Sequence, residues 1–339
     1  MAATMREVAE AAGVSVSSVS RVFAAPHTVG GVTRDKVMAV ARDMNYRPNQ
    51  VARSLATGQT KSLALIVPDV ANPFFAALVK SVQNRAHHRG RIVVIGDTDE
   101  QPRDEYELAT ALATRVDGLL LVSSHMSAEQ LGEVLSAVPT VLLNSEPGES
   151  PSVLATSSDG MRQAVEHLYA LGHRSCAYVN GPPQSWSNGH RRTALVEACQ
   201  RLHMDLVEFG PYQPKFASGV ASADLVQASG VTAVIAHNDM IALGLLSRFA
   251  QQGVAVPGDI SVIGVDDTPL AATTIPPLTT VRVPLGEMGI RAVDLLLDVL
   301  DAPKIKQPII YLPASLTVRG STGRVSIENR YHLQDAVMS

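Results

Sequence analysis

The chain has 339 residues, of which 46% are hydrophobic and 18% are charged, so it is long enough for two or three cores and is not a disordered protein. The formal charge is −4 overall, but residues 1–60 hold seven Lys or Arg against four Asp or Glu, which makes this part +3 and leaves −7 for the remainder. This charge asymmetry, with a basic N-terminal part and an acidic remainder, is expected when only the N-terminal part binds the phosphate groups of a nucleic acid.

Cysteine usage and hydropathy indicate the compartment. The two cysteines, Cys176 and Cys199, fall in segments predicted to be a buried strand and a helix, so a disulfide framework is not expected. We find no signal-type apolar segment and no apolar run of about 18 residues. A cytoplasmic protein without a membrane partner is therefore predicted.

Residues 5–23 have the pattern of two short helices joined by a tight bend. In the first helix, apolar residues share one face at the i, i+3, i+4, i+7 spacing: Met5, Val8, Ala9 and Ala12. Gly13 tolerates the positive φ of a bend, and the Ser15 hydroxyl can cap the second helix. The second helix turns a small, polar and singly basic face outward, formed by Val16, Ser17, Ser20 and Arg21. This face suits the DNA major groove, although an ordinary helical hairpin is the alternative.

A third helix is expected from Thr33, because apolar residues recur there at helical spacing: Val37, Val40, Ala41 and Met44. It should end near Asn45, before Pro48 holds the chain extended. Residues 1–48 are thus predicted to form a three-helix, helix-turn-helix DNA-binding head.

Residues 49–60 are predicted to form a hinge helix and linker. Asn49 is a suitable N-cap and Gly58 a suitable C-terminal residue for a helix of only about two turns, which is marginal in isolation. DNA can order such a segment, with Arg53 contacting phosphate and Leu55 acting as an apolar wedge. A plain linker is the alternative.

From Lys61 onward, short apolar strands alternate with helices, which is typical of an α/β fold with a parallel, doubly wound sheet. The strand pattern then repeats. The segments KSLALIVPD, RIVVIGDT and TRVDGLLLVSS correspond to RSCAYVNGP, MDLVEFG and GVTAVIAHND, which begin at Arg174. Two flavodoxin-like lobes are implied: lobe 1 from about 61–156 and 285–315, and lobe 2 from about 157–284 and 316–323, before a tail at 324–339. Such lobes bind ligands at the carboxyl ends of their strands, and two of them enclose a cleft.

The motifs AEAAGVSVSSVSRVF, TRDKV, NYRPNQVARSLATG, NPFF, LGHRSCAYVNGP, NDMIALG, PGDISVIGVDD and IPPLTTVRVP occur in the order found in the lactose- and galactose-repressor family, and the chain resembles that family from Thr4 to about Arg319. The resemblance implies a homodimeric transcription regulator that represses from a palindromic operator, with a core like that of periplasmic sugar-binding proteins. The residues expected to contact DNA are Thr4, Arg6, Ser15, Val16, Ser17, Ser20, Arg21, Thr33, Arg34, Asn49, Ala52, Arg53 and Leu55.

Two positions depart from the family pattern. The family commonly has asparagine where this chain has Ala24 and serine where it has Gly30, and these side chains usually serve the DNA backbone or the cap of the third helix. DNA affinity is therefore expected to rest more on Arg6, Arg34 and Arg53.

The resemblance also implies an effector site in the cleft for a sugar, sugar phosphate or nucleoside. Its expected members are Asp69, Phe74, Asn144, Trp186, Arg191, Asn238 and Asp266. Arg191 offers a fork of donors for a diol or carboxylate, and Asp266 accepts hydroxyl donors. Phe74 and the single Trp186 are expected in loops after the first strand of each lobe, where a flat ring can cover the apolar face of a ligand.

Two other classes of protein fit the sequence less well. An enzyme is not expected, because the chain has no GxxxxGK[ST] or strand-linked GxGxxG phosphate loop, and Asp266 and Asp267 should point to opposite sides. His87 and His88 face apart on a helix, so neither a metal nor a cofactor is predicted. A secreted sugar-binding protein would lack the extra head. The tail has no leucine heptads that would form a tetramer.

Overall fold

The computed structural model describes residues 3–24, 26–46, 59–302 and 308–325. The chain divides into two compact units, Met1–Lys61 and Ser62–Ser339. The predicted hinge helix, with Asn49, Ala52, Arg53 and Leu55, lies outside the described residues. Within the described ranges, the longest apolar helices fall short of what a membrane span requires.

In the N-terminal unit, the described residues form α1 (Met5–Ala12), α2 (Val16–Ala24) and α3 (Gly31–Asp43). Thr4 and Glu7 close a capping box at the start of α1, with Thr4 N donating to Glu7 Oε2 at 2.7 Å. Gly13 ends α1 with a φ of 62°, and Ser18 N then donates to Ser15 Oγ at 3.1 Å as α2 begins. The three helices pack around a core of Val8, Ala9, Ala12, Val19, Val22, Val37 and Ala41.

The larger unit alternates strands and helices along nearly its whole length. In chain order its elements are β1 (Ser62–Val67), α4 (Pro73–His88), β2 (Ile92–Asp97), α5 (Pro102–Ala113), β3 (Gly118–Val122), α6 (Ala128–Ala137), β4 (Thr140–Leu143), β5 (Ser152–Thr156), α7 (Ser157–Ala170), β6 (Ser175–Val179), α8 (Trp186–Arg201), β7 (Asp205–Phe209), α9 (Phe216–Ala228), β8 (Ala233–Ala236), α10 (Asp239–Gln252), β9 (Ser261–Asp266), β10 (Thr279–Arg282), α11 (Leu285–Asp301), β11 (Ile309–Pro313) and β12 (Ser315–Thr317).

These strands form two sheets with corresponding strand orders. Lobe 1 has the order β11-β5-β4-β3-β1-β2 and is parallel throughout, as expected for apolar strands covered by helices on both faces. Lobe 2 has the order β12-β10-β9-β8-β6-β7, in which only β12 pairs antiparallel, with β10. The predicted α/β fold with two similar lobes is confirmed.

The two lobes are joined by three short crossings among the described residues. The chain leaves lobe 1 between Thr156 and Ser157, returns through Val283 and Pro284, and crosses again at Ala314 between β11 and β12. Since β5 neighbours β11 in one sheet and β10 neighbours β12 in the other, the crossings lie side by side along one edge of each lobe.

Lobe 2 contains one unusually close helix contact. α9 and α10 approach through Gly219 and Gly244, where a Cβ built on Gly219 would lie 2.0 Å from the Ile241 carbonyl oxygen. Glycine is required at this contact because backbone, rather than a flexible side chain, fills the space.

Candidate functional site

The outward face of α2 carries side chains that can reach base edges. Val16 is 45% exposed, and Ser17, Ser20 and Arg21 are also exposed. Arg21 Nε lies 3.4 Å from Ser17 O, a long contact that leaves the guanidinium group able to turn outward. One apolar side chain, two hydroxyls and one arginine therefore share a single exposed helix face.

The other polar head residues are partly engaged in helix caps. The Thr4 hydroxyl donates to Glu7 Oε2 at 3.1 Å, and Ser15 caps α2, while Thr33 is half-buried in the first turn of α3. α3 begins after Gly30, which supplies no capping side chain.

The head arginines are held only by weak ion pairs. Arg6 Nε lies 3.9 Å from Glu10 Oε1, and its side chain is 83% exposed. Arg34 Nε lies 3.1 Å from Asp35 Oδ1. Exposed pairs of this kind contribute little to stability, so both arginines can exchange a carboxylate for a phosphate oxygen.

A cavity between the two lobes lies at the carboxyl ends of their strands. We call it the inner cavity. Asn144 follows β4, Asn238 follows β8 and Asp266 ends β9, while Phe74 comes from the first turn of α4 and Arg191 from the second turn of α8. The structure therefore brings five of the seven predicted effector residues together, because parallel strands present their carboxyl ends at one edge of each sheet.

Backbone hydrogen bonds fix the two asparagines of the inner cavity. Asn144 Oδ1 accepts from Ala155 N at 2.8 Å. Asn238 caps α10, its Oδ1 accepting from Ile241 N at 3.0 Å and its Nδ2 donating to Pro214 O at 3.2 Å. Both side chains are thus held in place before any ligand arrives.

Arg191 and Asp266 form a buried ion pair on the wall of the inner cavity. Arg191 Nη2 lies 3.5 Å from Asp266 Oδ1, and the two side chains are 6% and 5% exposed. Arg191 Nη1 donates to His237 O at 2.7 Å, while its Nε is buried without a hydrogen-bond partner. Burial raises the pKa of Asp266 well above its usual value, against the opposing charge of Arg191.

Neither member of this pair has its hydrogen-bonding capacity filled. Among the hydrogen bonds of the described residues, none ends on the Asp266 carboxylate. Asp266 also has a φ of 123°, a backbone conformation that costs free energy and that tends to occur at functional sites. A donor fork beside a carboxylate can hold neighbouring hydroxyl groups of a ligand.

Asp69 lies close enough to the inner cavity for its charge to act on Glu100, but it is not one of the residues that line the cavity. Its Oδ1 accepts from Ala71 N at 2.8 Å, which closes the turn after β1. An aspartate at this position is a common turn former, and this local bond directs its carboxylate to the backbone.

Trp186 also lies outside the lining of the inner cavity. It stacks on His190, with ring centroids 4.0 Å apart, and faces a second opening that we call the outer groove. The prediction that Phe74 and Trp186 lie in loops is wrong. Both lie in the first turn of a helix, because Asn72 and Ser185 cap α4 and α8 just before them.

Several residues of the inner cavity were not predicted from the sequence, and two of them form a close titratable pair. Glu100 and His125 follow the carboxyl ends of β2 and β3, and Glu100 Oε2 lies 3.7 Å from His125 Nδ1. Burial, reinforced by the charge of Asp69, raises the pKa of Glu100 to about 7. Burial lowers the pKa of His125. The position of both residues just after a strand is a signal that could have identified them.

Glu100 should make the stability of the core depend on pH. Its folded-state pKa is raised, so its contribution is fully present below the unfolded value near 4.5 and is lost as the pH rises through about 7. Glu100→Gln should therefore gain up to about 3 kcal/mol relative to wild type between pH 4.5 and 8. Urea unfolding at several pH values measures this difference.

The exposed Glu287 on α11 provides the control for this experiment. Glu287→Gln should show no comparable trend. A free-energy difference between Glu100→Gln and wild type that is equal at pH 5 and pH 8 would contradict the assignment.

A helical head with an exposed reading face, followed by two lobes around a polar cleft, defines a DNA-binding regulator with a ligand-binding core. Residues 4–49 match the family described as bacterial regulatory proteins, lacI family, and residues 165–322 match the periplasmic binding protein-like domain. The HTH-type transcriptional repressor CytR of Escherichia coli K12 is 31% identical over 95% of this chain and 96% of its own length. The ribose operon repressor of the same organism is 32% identical over 94% of this chain and 99% of its own length.

Solved structures give the same result. The lac repressor dimer bound to operator and the anti-inducer ONPF superposes with a TM-score of 0.86 at 31% identity, covering 95% of this chain and 100% of that one. The chain belongs to the lacI family of bacterial regulatory proteins. It is a transcription regulator with a helix-turn-helix DNA-binding head and an effector-binding core, and members of this family are not enzymes.

Proposed function

We propose that this protein is a cytoplasmic repressor that binds a palindromic operator as a homodimer and is controlled by a sugar, sugar phosphate or nucleoside in the inner cavity. The observation that carries the effector part is the buried Arg191–Asp266 pair, whose hydrogen-bonding capacity is unfilled at the strand ends between two lobes. The similarity to a ribose operon repressor supports a carbohydrate-like ligand.

The DNA-binding part rests on the exposed face of α2. Val16, Ser17, Ser20 and Arg21 would contact base edges, with Thr4, Ser15 and Thr33 beside them. Arg6 and Arg34 would contact the phosphate backbone. The hinge residues Asn49, Ala52, Arg53 and Leu55 would join the interface on the minor-groove side, as the family resemblance implies.

The homodimer is supported by the free edge of lobe 1. β2 is the outer strand of its sheet, and Ile92, Val94 and Ile95 on it are 58%, 40% and 39% exposed. Apolar side chains along an unpaired strand edge favour association with another chain. A second copy would double the reading helices and match the symmetry of a palindrome.

Selection from random double-stranded DNA tests the operator. A dimer with two equal reading helices should select a palindrome of about 14 to 20 base pairs, because its half-sites lie in successive major grooves. A binder found in a thermal-shift screen of sugars, sugar phosphates and nucleosides should then change the affinity for the selected DNA. Recovery of direct repeats only would refute the dimer geometry.

The variant Leu55→Ala tests the role of the hinge in operator binding. It should weaken binding to the palindrome and leave ligand binding intact, because an apolar wedge acts only on kinked DNA. Operator affinity equal to that of wild type would show that residues 49–60 act as a plain linker.

A further inference from the structure

We propose that the effector has two parts, a hydroxyl-bearing sugar in the inner cavity and an uncharged flat ring that stacks on Trp186 and His190 in the outer groove. Nucleosides and aryl glycosides share this chemistry. The inference rests on the proposed function, because it places the sugar at the Arg191–Asp266 pair, and it narrows the ligand class by excluding ligands that carry a phosphate into the outer groove.

The outer groove is much larger than the inner cavity, which favours a ligand that extends beyond the inner cavity. The inner cavity has a volume of about 50 Å³, whereas the outer groove has about 650 Å³. Small-molecule sites usually measure about 300 to 1,000 Å³. His125 and Ser185 line both spaces, so the inner cavity and the outer groove adjoin each other and form one site. A ligand anchored at Arg191 can therefore continue directly into the outer groove.

Trp186 and His190 provide a flat surface within the groove. They lie one turn apart on α8, their ring planes differ by 35°, and His190 Nδ1 lies 3.1 Å from Trp186 O. This local contact fixes the orientation of the His190 ring, while both rings remain accessible. Met126 lines the groove from lobe 1 and can cover the other face of a flat ligand.

The charges of the groove select against an anion. Glu146 from lobe 1 and Glu197 from lobe 2 line it, and both are exposed. Among the described residues that line the groove, none is Lys or Arg. A phosphate placed here would face two carboxylates without a compensating cation, which disfavours binding through like-charge repulsion. A neutral ring meets no such penalty.

The groove is also placed to connect ligand binding to the relative position of the lobes. Ser124, Met126 and Glu146 belong to lobe 1, whereas Trp186, His190 and Glu197 belong to lobe 2. A ring lying between these two walls contacts both lobes, so it binds one relative position better than another. Such differential binding is what an effector needs in order to shift a conformational equilibrium.

Calorimetric titration of the full chain with matched probes tests the proposal. The two-part probes are adenosine, uridine and p-nitrophenyl β-D-glucoside, and the matched probes are ribose, glucose, AMP and UMP. At least one two-part probe should bind about tenfold or more tightly than both its free sugar and its phosphorylated form. Equal affinity for the free sugar or the phosphate overturns the proposal, as does the absence of binding by all three two-part probes.

Variants on α8 locate the flat part of the ligand. Trp186→Ala should weaken binding of a two-part probe by about 5- to 100-fold while leaving any binding of the free sugar unchanged. Trp186→Phe should retain most of the affinity because it keeps a flat ring. Gln200→Ala, at the exposed far end of the same helix, is the matched control. Wild-type affinity in Trp186→Ala overturns the assignment.

Reversing a charge in the outer groove tests the charge argument independently, through a gain of affinity for a phosphorylated probe. Glu197→Lys should raise the affinity for AMP relative to adenosine by about tenfold, whereas Glu287→Lys, on the exposed face of α11 outside the groove, should not. An unchanged ratio overturns the charge argument. If the affinity for a probe depends on Asp266 but not on Trp186, the proposed function stands and the placement of the flat ring in the outer groove is wrong. If the affinity depends on neither residue, the placement of the effector in the cleft is itself wrong.

Discussion

Replacing Asp266 with asparagine should lower the affinity for the ligand identified by the thermal-shift screen by about 10- to 150-fold. A hydrogen bond from a ligand hydroxyl to a charged carboxylate is worth about 1.5 to 3 kcal/mol, and the substitution removes this charge-assisted bond. Asparagine has almost the same size and shape as aspartate, so the packing around residue 266 should be preserved. Calorimetric titration measures the loss.

Operator binding without ligand should hardly change in Asp266→Asn, because the substitution lies in the core and Arg191 keeps its hydrogen bond to His237 O. Asp205→Asn, at the exposed start of β7, removes the same charge away from the cleft and should retain wild-type ligand affinity. Unchanged ligand affinity in Asp266→Asn would leave the cleft assignment resting on fold similarity alone.

Gly219→Ala should destabilise lobe 2 by about 3 kcal/mol. The added Cβ would lie 2.0 Å from the Ile241 carbonyl oxygen and 2.9 Å from Gly244 Cα, and both are backbone atoms that can move only if α9 and α10 separate. Overpacking of this kind costs about 1 to 3 kcal/mol even where side chains can adjust. Thermal and urea unfolding, followed by circular dichroism, measure the change.

Gly132→Ala is the matched control with the opposite expected sign. Gly132 lies within α6, is exposed, and has no atom within 4 Å of a built Cβ. Alanine should therefore stabilise this helix by about 0.5 to 1 kcal/mol through its better helix propensity. Equal stability of the two variants would mean that the helices of lobe 2 are not packed as closely as described.

The two-lobed core could be predicted from the sequence because its central strands are covered on both faces. β1, β3 and β6 are short apolar runs, and nearly all of their residues are buried. β12 was harder to foresee as a separate strand, since three residues carry no periodic signal and its antiparallel pairing with β10 depends on contacts distant in sequence.

The sequence predicts the positions of site residues that lie at the ends of strands. It does not predict the positions of residues that depend on the orientation of a helix. Asn144, Asn238 and Asp266 meet because parallel strands end at one edge of a sheet. Trp186 depends on the rotation of α8, since each step along a helix turns the side chain by about 100°, and strand spacing does not determine that angle. Glu100 could have been identified from its position after β2, but its burial, which raises its pKa, depends on contacts that the sequence does not show.

The three crossings between the lobes restrict how the cleft can move. Three adjacent crossings favour a hinge motion about a single axis, so the displacement of a residue grows with its distance from that edge. β2 and β7 lie at the opposite edges of their sheets and must travel farthest. The same small rotation that barely disturbs Ala314 is thus magnified at the free edge of lobe 1, where Ile92, Val94 and Ile95 are exposed.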